Sequence, residues 1–335
     1  MRIIPSRSPV NQLRPAQRLT PMNILSKQHL RRLLSGVIAV LGLLSLASAQ
    51  SDTKILIAHR GASAYAPEHT LAAYRLAIEQ GADYVEQDLG VTRDGVLVCL
   101  HDDSLERTTN VREIFPGRFV EEQVNGRIRQ RWRVRDLTLS EIKQLDAGSW
   151  FGAEFAGSQV PTWQEAIDLI RGSAGLFPEL KSPENYRSLG IDMPSLVIDL
   201  LRRNGLDTAG ADDDTPVILQ SFDDASLRRL ADALPTLPRV FLIGTSDRPT
   251  LITDTRLREI ATFATGIGPA KELLLAQPDL VRRAHALGLT VTPYTFRSST
   301  INSFESLEKE MRHFLFTLGV DALFTDNPDR FPRQP

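Results

Sequence analysis

The sequence predicts an α/β fold, a distorted (β/α)8 TIM barrel with an insertion after the strand that ends at His101. Apolar, strand-like runs alternate with helical segments over most of the chain, and such units form parallel strands joined by right-handed crossovers. Nine runs are candidate strands, of which one is the return arm of a hairpin. No repeat, low-complexity tract or linker divides residues 50–335, which we expect to form a single domain. A doubly wound sheet is the alternative.

Residues 1–49 have the pattern of a secretory signal peptide. Two arginines precede an apolar run over 33–46, and Ala47-Ser48-Ala49 follows as a small-x-small cleavage pattern. The run is shorter than the roughly 20 residues of a spanning helix, so we expect cleavage before Gln50 and no stable membrane insertion afterwards. A periplasmic or secreted protein is predicted. Met22 is an alternative start, which would make 1–21 a mis-assigned beginning.

Charge is distributed unevenly along the chain. The whole sequence has 39 basic and 41 acidic residues, but residues 1–49 contain seven basic residues and no acidic one. The remainder therefore has 32 basic against 41 acidic residues, a formal charge near −9. Such an acidic body has no general attraction for nucleic acid, so no nucleic-acid partner is expected. The single cysteine, Cys99, excludes an internal disulfide.

Four of the predicted strands end in reactive side chains. These are His59-Arg60, Glu86-x-Asp88, His101-Asp102 and Glu179-x-Lys181. Taken singly, each group is typical of a solvated strand end or a turn. In a parallel barrel, however, the carboxyl ends of all strands meet at one face, where active groups gather. The fold therefore predicts that these side chains converge on one site.

The segment 84–103, YVEQDLGVTRDGVLVCLHDD, is predicted to be a hairpin. Asp-Gly between two apolar, β-branched runs is a strong signal for a tight turn. With Arg93 and Asp94 at the turn, Glu86 would pair directly with His101. Because side chains alternate faces along a strand, Glu86 and His101 would then share a face with Asp88, which would bring two carboxylates beside an imidazole.

The other elements follow from local patterns. Residues 103–136 are predicted to be an irregular, charged insertion over the barrel mouth. A helix is expected from Glu68 or His69 to Gly81, and another over 162–171 with a capping box formed by Thr162 and Glu165. Further helices are expected near 140–145, 193–204, 224–233, 254–262, 277–287 and 303–317. The remaining strands are expected at 55–58, 175–181, 216–220, 239–243, 265–268, 289–295 and 322–325.

The residue types at the strand ends indicate a metal and an anionic substrate. Glu86, Asp88 and Glu179 supply carboxylate oxygens, which suit Ca²⁺ or Mg²⁺ better than a soft metal. Arg60 and Lys181 would lie at the same mouth and, with a divalent ion, would neutralise a group such as a phosphodiester.

His59 and His101 add a general base and general acid pair to that set. The sequence has no phosphate-binding loop, no GxGxxG helix entry, no HExxH and no nucleophile elbow. Nucleotide-binding folds, zinc proteases and serine hydrolases of the α/β type therefore lack support.

Several segments together resemble the glycerophosphodiester phosphodiesterase family. They are AHRGASAYAPEHT at 58–70, VEQDLGVTRDGVLVCLHDD at 85–103, PELK at 178–181 and FTDNP at 324–328. The insertion after His101, the sequence PEHT and the segment VTPYTFR at 291–297 are most similar to the periplasmic branch of that family.

The resemblance implies a distorted (β/α)8 barrel that hydrolyses a small-molecule glycerophosphodiester to sn-glycerol 3-phosphate and an alcohol such as choline, ethanolamine or glycerol. It implies a divalent metal, Ca²⁺ first and Mg²⁺ as the alternative. Carried over residue by residue, it implies metal ligands at Glu86, Asp88 and Glu179, catalytic histidines at His59 and His101, and phosphate-side cations at Arg60 and Lys181. His59 is expected to act as the base and His101 as the acid, although the reverse assignment stays open.

Two further residues have alternative interpretations. Phe296 could form an apolar wall for glycerol or pack in the core, and His69 could support the helix start or face the metal. A phospholipase C or D acting on whole lipids is an alternative function, and a secreted binding protein that kept the barrel without catalysis is another. The preferred head group and the oligomeric state stay open.

Overall fold

Eight parallel strands form the barrel predicted from the sequence. The computed structural model describes residues 53–124, 126–245, 252–301 and 303–334. The strands are β1 (Ile55–Ala58), β2 (Tyr84–Val91), β3 (Leu97–Cys99), β4 (Val120–Val124), β5 (Arg127–Arg131), β6 (Gly175–Leu180), β7 (Leu219–Ser221), β8 (Arg239–Ile243), β9 (Gly266–Pro269), β10 (Thr290–Val291) and β11 (Ala322–Thr325). The parallel order is β10-β9-β8-β7-β6-β2-β1-β11. A bridge from Phe296 to Thr325 then joins the two ends into a ring.

The helices lie between the strands, as the alternating pattern predicts. They are α1 (Leu71–Glu79), α2 (Val111–Ile114), α3 (Leu139–Ile142), α4 (Trp163–Ile170), α5 (Pro183–Arg187), α6 (Met193–Asn204), α7 (Asp224–Ala233), α8 (Asp254–Ile260), α9 (Lys271–Ala276), α10 (Leu280–His285) and α11 (Leu307–Arg312). The capping box of Thr162 and Glu165 is present at the start of α4. Helix α1 begins later than predicted, because Thr70 is its N-cap and accepts a hydrogen bond from Ala73 N.

The hairpin has a different register from the one predicted. Gly90 pairs with Val98, and the strands are joined by a three-residue loop in which Gly95 has φ +81°. Thr92 N donates to Val96 O, and Gly95 N donates to Thr92 O, which is typical of a turn followed by a left-handed glycine. This loop shifts the pairing by one residue, so Glu86 is not opposite His101. The predicted pairing is wrong.

The insertion is more ordered than predicted. Strands β4 and β5 form an antiparallel hairpin, and the described part of segment 103–136 contributes to an apolar cluster of its own. Trp132 is 2% exposed in that cluster, and its Nε1–H donates to Phe115 O at 2.7 Å. The prediction of an irregular segment is therefore wrong. Its arginine-rich composition concealed a few apolar residues outside β4 and β5 that are buried, among them Leu105, Val111 and Trp132.

The main core has two layers that hold the strand ends in place. Outside the sheet, helices pack against side chains such as Val85, Leu176 and Leu323. Inside the ring, Phe177 and Phe324 meet edge to face, with ring centroids 5.1 Å apart. Filling the ring with side chains makes the barrel a packed core and leaves only its mouth open.

Trp132 is expected to stabilise the insertion strongly. Trp132→Ala should lower the free energy of unfolding by about 3–5 kcal/mol, because it leaves a cavity and removes the donor for the Phe115 carbonyl. Urea denaturation followed by circular dichroism measures this. Trp150→Ala is the matched control, since Trp150 is 42% exposed and should cost much less. Equal losses for the two variants would show that the cluster around Trp132 contributes little.

The predicted signal peptide, residues 1–49, lies outside the described residues. Within the part of the chain that the structure describes, no helix combines the length and the apolar character needed to cross a membrane.

Candidate active site

A cavity of about 610 Å³ opens at the carboxyl ends of the strands, and each of the eight parallel strands, or the segment that follows it, contributes to its wall. The seven polar residues singled out in the sequence all line it: His59, Arg60, Glu86, Asp88, His101, Glu179 and Lys181. Phe296 does not. It is fully buried and packs against Phe314, with ring centroids 4.9 Å apart, so the interpretation as a substrate wall is wrong. Tyr294, two residues earlier, lines the cavity instead.

Strand register places the carboxylates together. Asp88 of β2 pairs directly with Glu179 of β6, and Glu86 lies two residues earlier on the same face of β2. Burial and the charge of Asp88 raise the pKa of Glu86 well above its ordinary value. Burial also raises the pKa of Glu179, to about 8. Burial thus opposes ionisation of these two carboxyls in the metal-free site, and a bound cation would favour their charged forms.

Two cations at the mouth partly balance this charge. Lys181 Nζ lies 3.1 Å from Glu179 Oε1 and 3.7 Å from Asp88 Oδ1. Arg60 Nε lies 3.2 Å from Asp88 Oδ2, and the backbone N–H of Arg60 donates to Glu86 Oε2 at 2.8 Å. Burial alone would raise the pKa of Asp88, but Lys181, the hydrogen bond from His69 and Arg60 hold it well below its ordinary value.

His69 lies deeper in the site than the sequence indicates. It is 2% exposed, and its Nε2 is 2.8 Å from Asp88 Oδ2. Because a carboxylate only accepts, Nε2 carries the proton in this arrangement, and Tyr74 OH donates to Nδ1 at 2.8 Å. A metal on Nε2 would require the other tautomer, in which Nδ1–H donates to the Tyr74 oxygen. The sequence feature that could have indicated this buried position is the motif PEHT, in which His69 lies two residues before α1.

The donor atoms of His69, Glu86 and Asp88 could hold a metal ion. They all lie within 4.8 Å of one another, which fits ligands about 2.3–2.6 Å from one hard divalent ion. Glu179, predicted as a ligand, is not in that group and is held by Lys181 beside Asp88. Within the group, burial and Asp88 raise the pKa of Glu86, so its carboxyl would gain from a nearby cation, and the carboxylate oxygens suit Ca²⁺ or Mg²⁺.

His59 is oriented by a carboxylate from the other end of the chain. Ala58 of β1 pairs with Thr325 of β11, so His59 and Asp326 follow side by side, and Nδ1 lies 2.6 Å from Asp326 Oδ1. The carboxylate accepts from Nδ1–H, which leaves Nε2 as the basic nitrogen of the neutral ring. Burial and the charge of Arg60 lower the pKa of His59 to about 4, so the ring is neutral at pH 7. No local sequence pattern indicated this role for Asp326.

His101 is also paired with a carboxylate on Nδ1. Leu100 N still donates to Asp88 O at 2.9 Å, but β3 has ended at Cys99 and the chain turns away from the sheet. His101 then lines the cavity, and its Nδ1 lies 2.7 Å from Asp102 Oδ1. The end of the strand, and not the predicted pairing with Glu86, therefore brings this ring to the site.

Backbone strain is concentrated around the cavity. Among the described residues other than glycine, Arg60, His69 and Ser182 have positive φ angles, of 59°, 55° and 43°. Arg60 and Ser182 follow β1 and β6, and His69 N donates to Arg60 O. A non-glycine residue in this region costs roughly 1–3 kcal/mol and persists where the surroundings fix it, most often at functional sites.

Sequence comparisons match most of the chain to one enzyme family. Residues 59–330 match the model of the Glycerophosphoryl diester phosphodiesterase family. A glycerophosphodiester phosphodiesterase of Bacillus subtilis is 35% identical over 288 residues, which cover 84% of this chain and 86% of the relative. One from Haemophilus influenzae is 31% identical and covers 82% of this chain and 88% of its own.

Solved structures with the same fold include two phosphodiesterases. One from Oleispira antarctica, in complex with the product sn-glycerol-3-phosphate, has 29% identity and a TM-score of 0.64, covering 84% of this chain and 96% of its own. A glycerophosphodiester phosphodiesterase from Agrobacterium tumefaciens has 27% identity and a TM-score of 0.61, covering 83% of this chain and 98% of its own.

Proposed function

Because the chain belongs to the glycerophosphoryl diester phosphodiesterase family, we propose that it hydrolyses glycerophosphodiesters to sn-glycerol 3-phosphate and a free alcohol. One observation carries the proposal. Two histidines, each with Nδ1 against a carboxylate, line a single cavity together with three buried carboxylates and two cations. This set provides acid–base groups for cleaving a phosphodiester and positive charge for binding it.

The buried carboxylates are the proposed metal site. Glu86, Asp88 and Glu179, with His69 close enough to join them, would hold a divalent ion, and Ca²⁺ is our first choice with Mg²⁺ as the alternative. When bound, the ion would offset the charge of the phosphate and lower the pKa of the attacking hydroxyl. Arg60 and Lys181 would bind the same phosphate from the protein side.

The two histidines divide the proton transfers. His59, neutral at pH 7, removes the proton of the glycerol hydroxyl next to the phosphate, and that oxygen attacks phosphorus. His101 gives a proton to the oxygen of the departing alcohol as its bond to phosphorus breaks. Water then opens the resulting cyclic phosphate with the two roles reversed, which yields sn-glycerol 3-phosphate. Direct attack by water would use the same base and acid.

The cellular setting is a separate part of the proposal. We propose that residues 1–49 direct export, that cleavage before Gln50 releases a single barrel domain over 50–335, and that the enzyme works in the periplasm or outside the cell. The motif PEHT and the segment 291–297 support assignment to the periplasmic branch.

A metal-switched assay tests the activity. Protein from Gln50 onward is mixed with glycerophosphocholine, and sn-glycerol 3-phosphate is followed by a coupled enzyme after EDTA treatment and after Ca²⁺ or Mg²⁺ is restored. Metal-dependent release is the expected result. Release of phosphocholine instead of choline would place the cleaved bond on the other side of phosphorus. Folded protein that is silent with both metals would overturn the proposal, and whole phospholipids would then be the next substrates to test.

Asp326 gives a prediction about pH. Activity needs neutral His59, so kcat/KM of the wild type should fall as the pH drops through about 4 and should not fall near 6.5. Asp326 raises the pKa of His59, so Asp326→Asn should shift this acidic fall in kcat/KM to lower pH. The same change should reduce kcat by about 10–100-fold, because Asn no longer fixes the proton on Nδ1.

Profiles of kcat/KM against pH measure both effects. Asp329→Asn is the control, because Asp329 accepts from the exposed hydroxyl of Tyr65 and does not contact His59. A fall in the wild-type kcat/KM near pH 6.5 would mean that the surroundings of His59 do not keep it neutral.

A further inference from the structure

Arg107 lies between the two halves of the candidate site without entering it. It begins the insertion after β3, where its neighbours Leu105 and Thr108 are buried and Thr109 Oγ1 donates to Leu105 O at 2.7 Å. The Arg107 side chain is 43% exposed and is not among the residues that line the cavity. Its backbone is therefore fixed by the insertion core, while its guanidinium is directed to two carboxylates.

The first of these carboxylates is the partner of His101. Arg107 Nε–H donates to Asp102 Oδ2 at 2.6 Å, and Nη2–H donates to Oδ1 at 3.2 Å. Asp102 Oδ1 also accepts from His101 Nδ1–H at 2.7 Å. Two parallel bonds from a planar guanidinium fix the plane of the carboxylate, and with it the direction of the bond to the imidazole.

The second carboxylate is the partner of Arg60. Arg107 Nη1–H and Nη2–H donate to Glu68 Oε2 and Oε1 at 2.8 and 2.7 Å. Glu68 Oε1 also accepts from Arg60 Nη1–H at 3.0 Å, and Arg60 Nε is 3.2 Å from Asp88 Oδ2. An unbroken series of charged contacts therefore joins the acid histidine to the phosphate-side arginine.

We propose that Arg107 is a positioning residue for the hydrolysis proposed above, on which this inference rests. By bridging Asp102 and Glu68, it keeps His101 in the tautomer with the proton on Nδ1 when neutral, and it keeps Arg60 directed at the phosphate site. Four of its five N–H groups are used by these carboxylates, and it lies outside the cavity wall, so it does not itself bind the substrate.

The contacts with Arg107 favour the charged forms of both carboxylates. Burial would raise the pKa of Glu68, but the hydrogen bond from Arg107 and the charge of Arg60 lower it to about 2. Burial would likewise raise the pKa of Asp102, but hydrogen bonds with His101 and Arg107 hold it well below its ordinary value. The bridge is therefore a constant support and not a pH switch.

Steady-state kinetics on full-length mature protein test the inference. Arg107→Ala should lower kcat for glycerophosphocholine by about 10–100-fold and raise KM several-fold, the usual range for a lost supporting contact. Asp102→Asn should reproduce most of the loss in kcat, and Glu68→Gln should reproduce most of the rise in KM. The double variant D102N/R107A should lose little more kcat than either single variant, because both changes break one contact.

Three comparisons separate positioning from general stability. Arg118→Ala is the matched control, an arginine of the same insertion that is 41% exposed and paired with Glu141, and it should keep wild-type kinetics. Arg107→Lys keeps the charge but not the planar fork and should recover less than about half of the lost activation free energy. Added guanidinium ions should restore part of kcat in Arg107→Ala and none in Asp102→Asn.

A measurement that needs no turnover keeps the two proposals separate. In ¹⁵N NMR spectra of the wild type, the neutral His101 ring should carry its proton on Nδ1. The spectra of Arg107→Ala should show both tautomers. Arg107→Lys replaces the alanine variant in this measurement if the latter does not fold. Wild-type kinetics in a folded Arg107 variant, additive losses in the double variant, or an unchanged tautomer would overturn the inference. Absence of turnover in the wild type would reject the proposed function instead.

Discussion

His101→Ala is expected to lower kcat by about 10²–10⁴-fold, the range for a lost general acid or base. The side chain lines the cavity, and Asp102 holds its Nδ1 at 2.7 Å, so Nε2 is the nitrogen available to the departing oxygen. Without that proton the alcohol must leave as an alkoxide, which is a poor leaving group. Turnover of glycerophosphocholine by the purified variant, with metal present, measures the effect.

The choice of leaving group sharpens this test. A glycerophosphodiester of p-nitrophenol releases a weakly basic phenolate, so His101→Ala should lose far less activity on it, whereas His59→Ala should be impaired on both substrates. His285→Ala is the control, because His285 is also paired with an aspartate, Asp321, but lies away from the cavity. Equal losses of His101→Ala on both substrates would show that this histidine is not the acid.

Glu86→Gln is expected to abolish metal-dependent turnover, a loss of about 10³-fold or more if the ion supplies several kcal/mol of transition-state stabilisation. Glutamine keeps the shape and can still accept from the Arg60 N–H, which now bonds Glu86 Oε2 at 2.8 Å. It lacks the charge that a hard cation needs.

The same change should stabilise the EDTA-treated protein. Burial and Asp88 raise the pKa of Glu86 in the folded state, so folding is penalised as the pH rises above the ordinary carboxyl value of about 4.3. Glutamine has no such penalty, so the gain in Tm should grow as the pH rises above that ordinary value. Thermal unfolding with EDTA and with added Ca²⁺ measures this.

The wild type should gain stability on adding Ca²⁺, and Glu86→Gln should gain much less. Glu259→Gln, a change at an exposed carboxylate on α8, is the control and should respond to Ca²⁺ like the wild type. An equal Ca²⁺ response in Glu86→Gln would remove Glu86 from the proposed ligand set.

Local patterns were sufficient to predict the barrel and most of the site. Strand–helix alternation has few topological solutions, and a parallel barrel places every strand end at one mouth. His59, Glu86, Asp88 and Glu179 therefore meet in the cavity, although the sequence places them up to 120 residues apart. Helix α7 also has the predicted bounds, because Asp223 caps it and Leu227 and Leu230 form its buried face.

What the sequence did not reveal depends on long-range pairing or on a single backbone angle. The hairpin register depends on Gly95, which adopts a left-handed conformation in a three-residue loop. The same residues are also compatible with a two-residue turn. The role of Asp326 depends on which strand closes the ring, which no local pattern states. Phe296 and Tyr294 lie two residues apart in the segment that follows β10, so only the packing could show which one reaches the cavity.

The closing strand also sets when this enzyme can work. His59 and Asp326 are 267 positions apart and meet only when β11 docks beside β1. On a ribosome, Glu86, Asp88 and Glu179 emerge long before Asp326 has been translated, and closing so long a loop is a late event in folding. A chain that ends before β11 would lack the carboxylate that orients the base, so full turnover requires that β11 has been translated and has paired with β1.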